Sequence, residues 1–369
     1  MKKLSIFISA MLLVSSLSFA TIRRVGFNGT AIVGVDYNDL QAAHNISNAG
    51  DTIQIYGSGY SCNVSKKIIF IGFGYNFDVH PSLQAVIGDA PSGATLFFGI
   101  GSDGSVATGL SGDFNIYDFT TLSTNNPTIN NITFLRCNGS LTIYNYGPFQ
   151  AAYGVKASNI NFFSGVLTYL NLTGNSSDQL PVSNLNVFNC ILQSINLTNN
   201  NANTSASFIN CVSPPNNVGF TFNTGFANIL VKNCILAHSN AVNNINTIYV
   251  NNFFNGAQPA IINGSNNRWS QDWAVLFNRL GGTDDYAGYA GQTQFDENYF
   301  ILKTGSPAIN GGVNGSNIAT DCGIFGGETS FVYKPSGVPA VPSIYKLTAP
   351  TFNANSNPFN VTISVKSNN

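Results

Sequence analysis

The residues of this chain that could act together chemically are concentrated in one stretch, RWSQDWAVLFNRLGGTDDYAGYAGQTQFDENYF, from Arg268 to Phe300. Aromatic side chains with an apolar ring and a polar tip suit stacking against sugars. Carboxylates suit bonding to sugar hydroxyls or to a calcium ion. The candidate ligand-binding residues are Trp269, Asp284, Asp285, Tyr286 and Tyr289. No cofactor and no dedicated metal site is predicted, and calcium at the two carboxylates stays open as an alternative.

The same stretch also fits a purely structural role. Trp273, Phe277 and Leu280 have the spacing of one helix face, which favours a short amphipathic helix packed against the rest of the protein. In that interpretation Trp273 is a core residue. Catalysis by Asp284 and Asp285 is disfavoured, because adjacent residues rarely place two carboxylates on opposite sides of one bond.

Titratable side chains are scarce in the middle of the chain. Between residues 157 and 267, Asp178, Lys232 and His238 are the only Asp, Glu, Lys, Arg or His residues. Acid and base catalysis of glycoside cleavage needs two positioned carboxylates. No catalytic residue is therefore predicted. Arg136 is expected on a solvated face. Asp51 is expected to cap the first strand or to bond loop amides, and Asp321 is expected to do the same with the glycine-rich turn that follows it.

The charge content and the N-terminal residues indicate which partners and which cellular location to expect. Charged residues make up 8% of the 369 residues and the formal net charge is −1, so the chain lacks the basic surface of a nucleic-acid-binding protein. Residues 1–20 read as an export signal: Lys2 and Lys3 precede an apolar run, and Ala20 ends a small-residue cleavage site. The apolar run is shorter than the roughly 20 residues of a membrane-spanning helix. We expect a protein that is secreted or held at the cell surface, without a transmembrane segment.

The dipeptide Asn-Cys recurs at Asn189, Asn210 and Asn233, in steps of 21 and 23 residues, after short segments of alternating apolar residues. Alternation is the period of a β-strand, and a near-constant step predicts a solenoid in which each strand lies on the equivalent strand of the previous turn. The segments are expected to begin at Ile132, Ile160, Leu185, Phe208, Ile229 and Ile248.

The Asn-Cys pairs have a structural interpretation. Asparagine tolerates left-handed backbone at a corner, and stacked asparagines can form hydrogen-bonded ladders. The following cysteine is expected to point inward as a small apolar group. Disulfides between neighbouring coils are the alternative, but three consecutive cysteines cannot all pair. We predict mostly free, buried thiols.

Two further stretches carry a resemblance. In DYNDLQAAHNISNAGDTIQIYGSGY, from Asp36 to Tyr60, a short helix ends before Gly50 and a strand follows; His44 is expected at the surface of that helix. In FILKTGSPAINGGVNGSNIATDCGIFGG, from Phe300 to Gly327, Ser-Pro-Ala-Ile precedes Asp-x-Gly-x-x-Gly-Gly. Together these resemble the capping helix and closing coil of secreted bacterial parallel β-helix proteins of the pectate-lyase-like superfamily. The resemblance implies an all-β fold, a right-handed parallel β-helix solenoid with a short N-terminal capping helix.

The sequence thus predicts a signal peptide at 1–20, a β-helix at 21–330, and a proline-rich cover with a terminal strand at 331–369. Members of the superfamily that cleave acidic polysaccharides use clustered acidic or basic groups on the outer face of the coils, which the central coils here lack. We therefore expect a non-catalytic protein, monomeric, that binds a polysaccharide or cell-surface glycan or has a structural role. The alternative is a polysaccharide-degrading lyase or hydrolase with its site near residues 268–297.

Overall fold

The computed structural model describes residues 20–27, 31–75, 93–119, 127–144, 155–173, 180–197, 203–214, 220–222, 228–237, 246–258, 263–278, 297–327, 333–338, 343–348 and 362–366. The statements below concern these residues. The candidate residues Asp284, Asp285, Tyr286 and Tyr289 lie outside them.

Short strands make up most of the described chain. In chain order they are β1 Ile22–Val25, β2 Asp36–Tyr37, β3 Thr52–Ile55, β4 Tyr60–Val64, β5 Ile69–Ile71, β6 Ala94–Phe98, β7 Val106–Thr108, β8 Ser111–Ile116, β9 Thr128–Asn130, β10 Thr133–Leu135, β11 Asn138–Tyr144, β12 Lys156–Phe163, β13 Val166–Thr173, β14 Val182–Phe188, β15 Ile191–Leu192, β16 Ile195–Leu197, β17 Ala206–Ile209, β18 Phe220–Phe222, β19 Ile229–Lys232, β20 Ile235–Leu236, β21 Thr247–Val250, β22 Phe253–Phe254, β23 Asn263–Ser265, β24 Gly312–Val313, β25 Ala319–Thr320, β26 Ser343–Thr348 and β27 Thr362–Lys366.

Helices are few and short. They are α1 Leu40–Ile46 and α2 Trp273–Leu276, with 3₁₀ turns at Glu297–Phe300 and Pro335–Gly337. Within the described ranges, no helix has both the length and the apolar character needed to cross a membrane.

The strands stack in parallel into a β-helix, as the sequence predicts. The first sheet runs β2-β1-β3-β5-β7-β10-β12-β14-β17-β19-β21-β23, and the second runs β4-β6-β8-β11-β13-β16-β18. Strands that neighbour one another in the stack come from successive turns of the chain, and from β3 to β18 each turn contributes a strand to each long sheet. A third row of short strands and bridges joins Val166, Ile191, Val212, Ile235 and Phe253 in register.

Alternation along the first sheet places one set of side chains inside the solenoid. The interior row in register is Ala107, Phe134, Phe162, Val187, Phe208, Val231 and Tyr249, and each of these is fully buried. The register differs from the predicted one at two points. Phe208 pairs with Val187 rather than with Leu185, and Ile248 pairs with Leu230 and is exposed. Turns of unequal length cause this difference, because a loop that is one or two residues longer or shorter moves the next strand along the repeat.

One corner of the solenoid has left-handed backbone in seven successive turns. The corner column is Arg136, Ser164, Asn189, Asn210, Asn233, Asn251 and Asn266, with φ between 53° and 57°. From Arg136 to Asn251, each corner N–H donates to a carbonyl of the next turn at 2.8–3.1 Å. Asparagine tolerates this conformation better than most residues, which explains the repeated Asn of the Asn-Cys pairs.

The cysteine after the corner points into the core, and its thiol is free. Cys137, Cys190, Cys211 and Cys234 are fully buried and unpaired, as are Cys62 and Cys322. The thiols of Cys190, Cys211 and Cys234 donate to Phe162 O, Val187 O and Phe208 O at 3.3, 3.2 and 3.4 Å. The prediction of free, buried thiols is confirmed.

Burial predicts how these thiols react. It raises the pKa of Cys62 and of Cys137 to about 12, and those of Cys211 and Cys234 well above the usual range. Because the thiolate is the nucleophile, we expect no rapid reaction of the folded protein with an aromatic disulfide reagent at pH 8. All six thiols should react once guanidinium unfolds the chain, as absorbance would show. A rapidly labelled thiol in the folded protein would contradict this packing.

Helix α1 covers the first turns of the solenoid. Asp39 caps its N-terminus by accepting from Gln41 N and Ala42 N, both at 3.1 Å, and Leu40 and Ala43 are fully buried. The predicted exposure of His44 is wrong: its ring is 1% exposed, and Nε2 accepts from Ser65 N at 3.2 Å. Burial lowers the pKa of His44 because it disfavours the charged imidazolium.

After α2 the chain runs back along the outside of the solenoid. We call residues 297–327 and 333–338 the return segment. The rings of Phe277 and Phe300 are 5.6 Å apart at one end, and Arg136 Nη1 donates to Val338 O at 2.9 Å at the other. The part expected to form a closing coil thus lies beside several turns, with β24 and β25 paired antiparallel. The predicted solvation of Arg136 is wrong, because this segment buries it.

An apolar cluster explains the position of the return segment. The third row faces away from the main core, and its Val166, Ile191, Val212, Ile235 and Phe253 pack with residues of α2 and the return segment. These partners are Trp273, Leu276, Phe277, Phe300, Ala308, Cys322, Ile324 and Tyr333. Covering this second cluster removes apolar surface from water, the dominant favourable term in folding. The predicted core position of Trp273 is confirmed, since it is 4% exposed.

Candidate functional site

The outer surface of the first sheet carries two parallel columns of side chains over four turns. One column is polar and uncharged: Thr133, Asn161, Asn186 and Ser207. The other is apolar: Leu135, Phe163, Phe188 and Ile209. All eight are partly exposed. We call these eight residues the amide face.

Hydrogen bonds between turns orient the polar column. Asn186 Nδ2 donates to Asn161 Oδ1 at 2.9 Å, and Asn161 Nδ2 donates to Thr133 Oγ1 at 3.3 Å. Beside this column, Asn184 Nδ2 donates to Asn159 Oδ1 at 3.1 Å. An amide group offers two N–H donors and a carbonyl acceptor with two lone pairs. Asn161 Nδ2 also donates to Asn159 O and Asn186 Nδ2 also donates to Asn184 O, both at 3.2 Å, so both N–H groups of each of these amides are used. The orientation of each amide is therefore held, and its oxygen keeps acceptor capacity toward the hydroxyl of a ligand.

The apolar column carries aromatic rings in two consecutive turns, at Phe163 and Phe188. The rings of Phe163 and Phe188 are stacked, with centroids 5.3 Å apart and planes 26° apart. Successive turns are about 4.8 Å apart, so aromatic and amide groups recur at the same spacing along the stack. A ligand with hydroxyls on its edges and apolar C–H groups on its faces matches both columns.

The return segment forms a wall along one edge of the amide face. Corner asparagines hold it: Asn233 Nδ2 donates to Val313 O at 2.8 Å, and Val313 N donates to Asn233 Oδ1 at 3.2 Å. Asn210 Nδ2 donates to Asp321 O at 2.9 Å, and Asn189 Nδ2 donates to Gly326 O at 2.6 Å. The backbone of the return segment is thus bonded to three consecutive turns.

Glycines let this segment approach so closely. A Cβ on Gly312 would lie 2.7 Å from Asn233 Oδ1, and one on Gly326 would lie 2.8 Å from Asn210 Nδ2. Both distances are shorter than a real Cβ contact. The glycines of the predicted closing motif therefore serve contact with the corner column.

A small cavity lies between the amide face and its wall. It has a volume of about 170 Å³. Phe188, Ile209 and Lys232 line it from the solenoid, and Val313, Asn314 and Gly315 line it from the return segment. Lys232 continues the apolar column by one turn, in register with Ile209. It is the one charged side chain in either column between β10 and β19.

The described acidic residues away from this face have structural partners. Asp51 accepts from Thr21 N at 2.8 Å and Asn48 N at 2.9 Å and pairs with Arg23 at 2.7 Å. Burial acts to raise the pKa of Asp51, but these hydrogen bonds and the positive charge outweigh it and lower the pKa. Asp321 accepts from Asn310 N at 2.9 Å. The predicted amide bonding by Asp51 agrees with these contacts, whereas Asp321 bonds an amide eleven residues before it rather than the expected glycine-rich turn after it.

A buried polar chain lies under the return segment. Tyr333 Oη donates to Glu297 Oε1 at 3.0 Å and lies 3.2 Å from Tyr75 Oη. Burial raises the pKa of both tyrosines well above the usual range. These groups are enclosed and do not reach the amide face. Among the described residues, no three His, Cys, Asp or Glu side chains come together as metal ligands.

Of the five candidate ligand-binding residues, the structure describes Trp269. Its ring stacks on Phe254, with centroids 4.1 Å apart and planes 5° apart, and it is partly buried. One face of the indole is therefore used for packing. The site formed with Asp284, Asp285, Tyr286 and Tyr289 stays a prediction.

The amide face itself was not among the sequence-derived candidates. A signal for it does exist: Asn161 and Asn186 occupy outward positions of alternating segments in consecutive repeats, each two residues before an outward phenylalanine. Reading the outward positions of aligned repeats, rather than titratable groups, would have found the face.

Comparison with known proteins adds no assignment. No protein-family model matches the chain, and no curated protein matches its sequence.

Proposed function

We propose that this is a secreted or cell-surface β-helix protein that binds a polysaccharide or cell-surface glycan on the amide face without cleaving it. The observation that carries the proposal is the pairing of an oriented amide ladder with a stacked aromatic column over consecutive turns. Sugar rings present hydroxyls at their edges and C–H groups on their faces, which such a surface complements.

The charge pattern supports binding rather than cleavage. Eliminative or hydrolytic cleavage of a glycan needs positioned acids and bases. The eight residues of the amide face contain none, and the charged residue nearest to them in the columns is Lys232. We also propose membership of the pectate-lyase-like superfamily, on the parallel stack, the capping helix and the sequence motifs.

Binding can be tested with variants of the face. Purified protein starting at Thr21 would be incubated with a panel of neutral and acidic polysaccharides, and bound protein would be measured by pull-down and affinity electrophoresis. Phe188→Ala is expected to weaken binding about tenfold, since an aromatic contact contributes about 0.5–1.5 kcal/mol beyond its buried area. Phe97→Ala is the control, because Phe97 is a partly exposed aromatic residue of the second sheet.

Release of new reducing ends would be assayed on the same polymers, with calcium present. We expect none. Protein-dependent release would overturn the non-catalytic proposal and direct attention to Asp284 and Asp285. Equal binding by Phe188→Ala and Phe97→Ala would move the binding surface away from the amide face.

A further inference from the structure

Lys232 is a cation without an anionic partner among the described residues. Its Nζ donates to Asn314 O at 3.4 Å, and the ion pairs of the described chain join Arg23 with Asp51 and Arg24 with Asp36. An ammonium group has three N–H donors. The one long hydrogen bond to Asn314 O uses a single N–H donor and no negative charge. The other donors and the positive charge of Lys232 are therefore available to an anionic ligand.

The surroundings of Lys232 form a pocket rather than a flat surface. Phe188 and Ile209 form an apolar side, and Asn314, Gly315 and Gly327 form a polar side, around the volume of about 170 Å³. None of the residues lining the pocket is acidic. The side chain of Lys232 is partly buried, so its charge is less screened by water than that of a fully exposed lysine.

We infer that this pocket binds a single anionic group, a carboxylate or a sulfate ester, carried by the glycan that lies on the amide face. This inference rests on the proposed function. Lys232 lies two turns from Phe188, about 10 Å at the spacing of parallel strands. The anionic group therefore belongs to a sugar unit beyond the one that contacts the aromatic column.

The scarcity of cations along the two columns indicates how many acidic groups the bound glycan carries. Lys232 is the one cation in the two columns from β10 to β19, where the other outward residues are amide, hydroxyl or apolar. A polyanion would place its further negative charges against these uncharged groups. The charges would lose contact with water there without gaining a cation as partner, which costs free energy. The selected ligand is a mostly neutral glycan with isolated acidic groups.

The test compares a neutral polysaccharide that the protein binds with the same polymer carrying sparse carboxymethyl groups. Binding of both would be measured by isothermal titration calorimetry for wild-type, Lys232→Gln, Lys232→Arg and Lys156→Gln proteins. Lys156 is exposed at the start of β12 and serves as the matched control. Wild-type, Lys232→Arg and Lys156→Gln are expected to prefer the carboxylated polymer about tenfold, as for one charge-assisted hydrogen bond. Lys232→Gln should bind both polymers equally.

A second measurement needs no glycan. Sulfate, compared with chloride at equal ionic strength, should raise the unfolding temperature of wild-type protein more than that of Lys232→Gln. A preference for the carboxylated polymer that survives in Lys232→Gln, or no preference in wild-type, overturns this inference while glycan binding stands. Absence of binding to every polymer, with a sulfate effect that depends on Lys232, overturns the glycan proposal and supports an anion pocket. No Lys232-dependent effect in either measurement overturns the pocket.

Discussion

Replacing Phe134 with alanine is expected to lower the free energy of unfolding by about 3–5 kcal/mol, the range for removing a buried aromatic ring from a core. The ring is fully buried, and its centroid lies 4.7 Å from that of Phe114, 5.5 Å from that of Phe98 and 5.8 Å from that of Phe162. These contacts join both long sheets and three successive turns. The cavity would open where the stack cannot collapse, because hydrogen-bonded strands hold the turns at a set spacing.

Urea unfolding followed by circular dichroism would measure the change. Phe163→Ala is the control. Phe163 is also a phenylalanine and lies on β12, the strand paired with that of Phe134, but its side chain faces outward and is partly exposed. Its loss should cost about 1 kcal/mol, mainly through the contact with Phe188. Equal losses for the two variants would show that the interior row does not form the core.

The second large effect is expected at the corner column. Asn233→Ala should destabilise the protein by about 2–4 kcal/mol. Alanine in left-handed backbone costs roughly 1–2 kcal/mol, and the change also removes the side-chain hydrogen bonds to Val313, whose loss from a buried site costs about 1–3 kcal/mol. Asn233 has φ 55° and is 1% exposed.

Two further variants separate these contributions. Asn233→Gly keeps the backbone conformation without strain and loses the side-chain bonds, the two to Val313 and a longer one of 3.4 Å to Asn210 Oδ1. Asn184→Ala carries the backbone cost and loses one exposed side-chain hydrogen bond, to Asn159, but no contact with the return segment, because Asn184 has φ 56° and is exposed. Thermal unfolding should rank Asn233→Ala as least stable. If Asn233→Gly were as stable as wild-type, the bonds to Val313 would contribute nothing to holding the return segment.

What could be predicted from sequence was local and periodic. Alternation placed Phe162 and Val187 inside, and the repeated Asn-Cys located a left-handed corner followed by an inward thiol at Asn210 and Cys211. Both properties depend on residues within one turn and on the identical position in the next turn. The parallel β-helix follows from them.

The predictions that were wrong, the exposure of Arg136 and of His44, depend on contacts with residues far away in the sequence. Arg136 is buried by Val338, 202 residues later, and no local pattern around Arg136 contains that information. His44 is covered because its ring accepts from Ser65 across the end of the stack. A clue to the return segment was present in Ile191, Val212 and Ile235, since apolar residues at the same outward position of successive repeats require a cover.

The amide face escaped prediction for a different reason. Titratable residues stand out in a charge-poor chain and draw attention to Asp284 and Asp285. The face consists of amides and phenylalanines such as Asn186 and Phe188, which are common in this sequence and become distinctive only when stacking aligns them. Its recognition needs the register between turns, which unequal loop lengths conceal.

The return segment also bears on how the chain can complete its folding. In an ordinary solenoid, stability is a sum of contacts between neighbouring repeats, so turns can form in order and fray from either end. Here Val338 contacts Arg136, and Val313 and Asp321 contact Asn233 and Asn210. Turns in the middle of the stack therefore keep an uncovered apolar side until the chain has been synthesised as far as Val338. Such late, long-range closure slows folding and exposes the intermediate to aggregation, so this protein should depend on protection of its nascent chain more than a solenoid with self-contained turns.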